Sequence, residues 1–172
     1  ATAYLQSYQD SLTYSTDELE AAYQEDRTAY DLVDCAYVRV NGAAADTDEE
    51  GNSIEVTDEM KAEAMAAAKT TADAIYAAYK AGTSLEDAAA EYESTATYAS
   101  SDSFSYSSSV LGEWLYDDAR QAGDSAVLED SDSSNYYVVV FNGRSRNEYN
   151  TVNVRHILIQ PEASELSEDD EG

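Results

Sequence analysis

The chain has little of several residue types, and each scarcity excludes something. It carries one cysteine, one proline, one tryptophan, one histidine and two phenylalanines in 172 residues. A single cysteine, Cys35, rules out an internal disulfide framework and a cysteine-rich metal site, and it leaves the redox compartment open. Cys35 falls in an apolar stretch and reads as packing. No histidine precedes His156, so the serine-rich stretch 94–109 has no imidazole to activate a nucleophile, which excludes Ser–His chemistry. No run approaches the roughly 18 apolar residues of a membrane span. Residues 1–9 have neither a basic start nor an apolar middle, so no transmembrane segment is expected in this chain, with room for an anchor upstream. Basic residues are few, nine against 36 acidic, for a net charge of −27. That field repels phosphate backbones, which argues against nucleic acid, and any ligand it steers is basic.

What is abundant is tyrosine, 15 residues, within a 43% hydrophobic composition. A chain of this size can bury one proper core with a small appendage. Ser15 followed by Glu18 forms a capping box, and Leu19, Ala22 and Tyr23 give an apolar side, which predicts a helix over 16–27. Residues 1–11 read as a short amphipathic helix before it. From Asp31 the period changes to two. Val33, Cys35 and Tyr37 share one face and Leu32, Ala36, Val38 and Val40 the other, so 31–40 reads as a central strand.

Residues 41–56 form a long acidic loop. Asp46, Asp48, Glu50 and Gly51 imitate the opening of a calcium loop, but Ser53 and Thr57 occupy its apolar and glutamate positions, so a solvated loop is the better reading. Thr57 or Asp58 caps a long helix to about Lys80, with Met60, Ala64, Ala67, Thr71, Ile75 and Tyr79 inward. Gly82 ends it, and Ser84 with Asp87 caps a second helix through Tyr92. Residues 94–109 read as a draped loop. Leu111, Trp114, Leu115 and Tyr116 concentrate apolar groups beside Gly112 and could build a hydrophobic shelf or pack the core. A helical turn through Arg120 follows, then a brief strand at 126–129, a turn, and a strand at 136–141 that ends the domain at Gly143. The class is α+β, a small, mostly antiparallel sheet with helices packed around it.

One segment echoes another. Residues 149–159, YNTVNVRHILI, align without a gap on 30–40, YDLVDCAYVRV, at a constant offset of 119 residues from Tyr30 to Tyr149. Val33 falls on Val152, Cys35 on Val154, Val38 on Ile157, Val40 on Ile159, and Tyr37 on His156. The offset is the size of a small domain. The division it suggests is a helical segment at 1–28, one domain at 29–145, the opening strand of a truncated second repeat at 146–160, and an acidic tail at 161–172.

VRHILI resembles the opening strand of parvulin-type peptidyl-prolyl isomerases. The helix opening at Ser84, the Leu111-Gly112 step, ARQAGDS at 119–125 and the Asn135-Tyr136-Tyr137-Val138 strand resemble later motifs of that family in order. The resemblance implies a parvulin-like (FKBP-like) α+β fold and a peptidyl-prolyl isomerase or foldase acting on exported proteins, outside the cytoplasm and without a cofactor. It implies as partners unfolded or proline-containing polypeptide segments, basic ones in view of the charge. Two family histidines land on Tyr37 and Tyr137. A family cysteine or aspartate lands near Ser94 or Thr95, and Leu111, Trp114, Leu115 and Tyr116 approximate the substrate pocket. His156 belongs to the second-repeat motif. With both histidines replaced by tyrosine, reduced activity is expected, the alternative being a non-catalytic chaperone or peptide-binding module.

Overall fold

The structure, a computed structural model, describes residues 12–48 and 50–148. The expected first helix at 1–11, the strand at 149–159 with His156, and the tail lie outside the described residues. Ser15 caps helix α1, Thr16–Glu25, by accepting from the Glu18 amide at 3.3 Å, and the Glu18 carboxylate accepts from the Ser15 amide at 2.8 Å. The helix stops earlier than the periodicity suggests. Asp26 takes a non-helical conformation (φ −141°, ψ 62°), and a separate turn α2, Arg27–Tyr30, leads into the sheet.

Strand β1, Asp31–Asn41, is central, as its two apolar faces require. Helices α3, Asp58–Lys80, and α4, Leu85–Ala90, follow, capped by Thr57 and Ser84. Next come strand β2, Ala96–Phe104; helix α5, Val110–Leu115; and the hairpin β3, Ser125–Asp130, with β4, Asn135–Arg146. All pairings are antiparallel, in the order β2-β1-β4-β3. The α+β class with a small antiparallel sheet stands.

Several boundaries change. Residues 96–104 form an edge strand where a loop was expected. Its serines obscure the alternation because one side of an edge strand meets water. β4 runs past Gly143 to Arg146, and Asp31 pairs with Arg146, so the expected domain end at 143–145 falls inside a strand. The inward stripe of α3 is centred on Ala68, Ala72 and Ile75, while Ala67 is exposed. A run of alanines does not reveal which of them faces inward.

The sheet has two unlike faces. Val38, Val40, Tyr136, Val138 and Val140 pack beneath α3 and α4 against Ala72, Ile75, Leu85 and Ala88. The opposite face packs Val33, Cys35, Val139 and Phe141 beneath the single helix α5 through Leu111, Leu115 and Tyr116. Beside these, Asp31 joins the chain entrance to the sheet. Its carboxylate, in a side chain 1% exposed, accepts from Tyr23 Oη at 2.6 Å, Arg144 Nε at 2.7 Å and Arg27 Nη2 at 3.4 Å. Arg146 adds an ion pair to Glu20 at 2.6 Å, with its guanidinium 4.1 Å from the Tyr23 ring centre.

Removing one member of a buried ion pair strands the other charge. Asp31→Ala is therefore expected to lower the unfolding free energy by about 3 kcal/mol, measured as a fall in the urea midpoint. Gly112→Ala is also expected to destabilise, because the added Cβ would collide with the Ser107 carbonyl oxygen.

Candidate functional site

Because α5 spans only Val110–Leu115, it covers one end of its sheet face and leaves the other partly open. The half-buried groups along that opening are Tyr37, Phe104, Trp114, Ala126, Leu128 and Tyr137. Register explains how two of them meet. Tyr37 lies opposite Val139 and Tyr137 opposite Arg39, so the tyrosines are diagonal neighbours on adjacent strands, close enough for aromatic contact. Their ring centres are 6.1 Å apart at 67°, and Phe104 stands 6.5 Å from Tyr37 at 82°. Edge-on contacts of this kind favour the aromatic quadrupoles and leave ring faces available to a ligand.

Tyr37 and Tyr137, expected as a pair, are thus brought together on one open face. Neither hydroxyl has a hydrogen-bond partner among the described residues. Burial first, then the nearby Asp130 carboxylate, pushes the Tyr137 phenol above its ordinary value, with Arg39 pulling the other way. The group stays neutral at physiological pH, free to donate a hydrogen bond. Trp114 edges the same face, with the Arg120 guanidinium 4.5 Å from its ring centre.

The other expected pocket residues are placed differently. Leu111, Leu115 and Tyr116 are buried, at 5%, 0% and 6% exposure, and form the support beneath α5, leaving Trp114 as the pocket candidate of that helix that reaches the open surface. The helical period explains this: Leu111 and Leu115, four residues apart, share the face turned to the sheet, and Trp114 sits at the edge of that face. Tyr116 Oη lies 2.8 Å from the carbonyl oxygens of both Asp31 and Phe104, a structural tie. Ser94 and Thr95 are exposed in the turn before β2 and are not brought to the pair. The Thr95 hydroxyl donates to the Tyr92 carbonyl at 3.4 Å. The β2 residue opposite Tyr37 is Ala99, and Thr95 lies four residues back, about 13 Å at strand spacing. Ala99 and Thr97 flank the tyrosines, and the serine-rich composition of 94–109 conceals them because it resembles a loop.

In the acidic loop the Asp48 carboxylate staples a turn, accepting from the Glu50 and Asn52 amides at 3.0 and 2.8 Å. Among the described residues, no group of three or more histidine, cysteine or acidic side chains could hold a metal ion, and no helix is long and apolar enough to cross a membrane. The arrangement is an aromatic shelf bearing two phenol hydroxyls, suited to holding an apolar ring and donating to a carbonyl. Comparison with known proteins gives no matching family model, no similar curated protein and no similar solved structure.

Burial pushes the Cys35 thiol up to about 11, with Asp34 adding to the effect. The thiolate is the reactive form, so below that pH Cys35 stays protonated. A thiol reagent at pH 8 is expected to modify it only as fast as the chain unfolds, and labelling at the rate of free cysteine would contradict the placement. Tyr116→Phe is expected to cost about 1–3 kcal/mol in urea unfolding, because it leaves the carbonyl oxygens of Asp31 and Phe104 without their shared donor.

Proposed function

We propose that the domain binds proline-containing polypeptide segments on the aromatic shelf and acts as a parvulin-type peptidyl-prolyl isomerase, serving as a foldase outside the cytoplasm. The observation that carries this reading is the Tyr37–Tyr137 contact. The two positions at which the resemblance expects paired side chains come from β1 and β4 and meet on the open face. The setting outside the cytoplasm rests on the resemblance alone.

Rotation about an X-Pro amide needs no cofactor and no formal acid or nucleophile. The barrier of about 18–20 kcal/mol comes from amide resonance, and two well-populated ends exist only for X-Pro bonds. A shelf of rings can hold the pyrrolidine and desolvate the amide. A neutral phenol aimed at the twisted carbonyl or nitrogen then stabilises the state between the two isomers. Tyr37 and Tyr137, which meet on the open face, are the phenols placed to do this.

A second reading has its own support. Ser94 and Thr95 stand away from the tyrosines, so the third polar member implied by the resemblance is not at the shelf. On that reading the domain holds unfolded segments without accelerating isomerisation.

Proline-limited refolding of a test protein separates the two. Its slow phase, tens to hundreds of seconds uncatalysed, is expected to shorten in proportion to added chain, and Tyr137→Ala is expected to remove about tenfold or more of that acceleration. Suppressed aggregation with an unchanged slow phase establishes the holding role instead.

A further inference from the structure

The shelf continues sideways onto β2, the outer strand. Val40 pairs with Ala96 and Arg39 with Thr97, and the Asn41 amide donates to the Thr95 carbonyl at 2.8 Å. In an antiparallel ladder the main-chain groups of alternate residues point the same way. Thr97, Ala99 and Ser101 therefore direct N–H and C=O groups at β1, and Tyr98 and Ser100 direct theirs outward. Ala96 follows this rule, its amide bonding back to the Tyr92 carbonyl at 2.8 Å. Among the described residues no strand pairs with the outer edge, so the main-chain groups of Tyr98 and Ser100 form an open template.

The two faces along this edge differ. On the shelf side, small Ala99 separates the edge from the Tyr37 ring, so a strand laid on β2 can lean a side chain over it toward Tyr37 and Phe104. On the other side, an open groove of about 460 Å³ is lined by Ala36, Tyr98, Ser100, Asn142 and the carboxylate-bearing Asp34 and Asp102. Within a chain of net charge −27, that side favours a cation. The same charge disfavours a second copy of this chain as the occupant.

We propose that β2 receives an extended, basic polypeptide segment by strand addition, with alternate side chains apolar toward Tyr37 and Phe104 and lysine or arginine toward Asp34 and Asp102. Main-chain hydrogen bonds at Tyr98 and Ser100 hold the segment, and the two unlike faces select its pattern. This rests on the polypeptide-binding reading above and names the binding mode and the ligand class.

The test uses a labelled peptide of alternating valine and lysine, read by fluorescence anisotropy and by hydrogen exchange. Binding is expected, with the Tyr98 and Ser100 amides slowing only when peptide is present. Ser100→Pro removes an outward N–H and is expected to weaken binding about tenfold or more, against a loss within about threefold for Ser100→Ala, which keeps that N–H. A valine–glutamate peptide that binds equally well overturns the basic occupant. Amides already slow without peptide show an edge filled by the chain itself or by a second copy, and overturn the proposal. Binding that is lost in Tyr37→Ala but unchanged in Ser100→Pro, with both amides still fast, overturns strand addition while leaving the shelf reading in place. No binding of any peptide overturns both.

Discussion

Unequal cover on the two faces of one small sheet governs the molecule. β1 and β4 are apolar on both sides, so both sides must be buried or used. The 23-residue α3 with α4 closes one side, and the six-residue α5 closes only part of the other. What remains open is mostly aromatic. Tyr37, Phe104, Trp114 and Tyr137 are wide enough to shield the valines beneath them and amphipathic enough to face water.

How far the opening extends is set by the anchoring of α5 and its neighbours. Tyr116, the residue after the helix, reaches the carbonyl oxygens of Asp31 and Phe104, tying the helix end to the starts of β1 and the end of β2. Arg144 lies 4.9 Å from the Tyr116 ring centre and donates to the Asp31 carboxylate. The same carboxylate holds Tyr23 of α1, so the entering helix, the closing helix and the last strand meet at one buried charge. That junction lies at one end of the sheet and the Tyr37–Tyr137 pair lies toward the other, with Phe104 belonging to both.

The sequence was most informative where chemistry is local. Ser15 with Glu18, Thr57 and Ser84 announced three helix starts, and the alternation in β1 announced a strand buried on both sides. The resemblance placed Tyr37 and Tyr137 as a pair, and strand register explains why they touch. β2 was hidden because an exposed edge strand needs few apolar residues, and serine is as common in loops. Leu115 and Trp114 looked equivalent in sequence. Only the seating of α5 on Val139 and Phe141 decides that the first is core and the second is surface. Ser94 and Thr95 were misplaced for a related reason, since their distance from Tyr37 depends on a pairing of β2 that its composition did not disclose.

Trp114 is the chain's one tryptophan and stands at the rim of the shelf, so its emission, excited at the red edge where tyrosine does not absorb, reports that surface. The most direct measurement is a titration of the full chain with a proline-containing peptide, read at Trp114 and repeated with Tyr37→Ala and Tyr137→Ala. The account predicts a saturable change in emission that both variants weaken about tenfold or more. Saturable binding that leaves Trp114 emission unchanged and is indifferent to both tyrosines would contradict it.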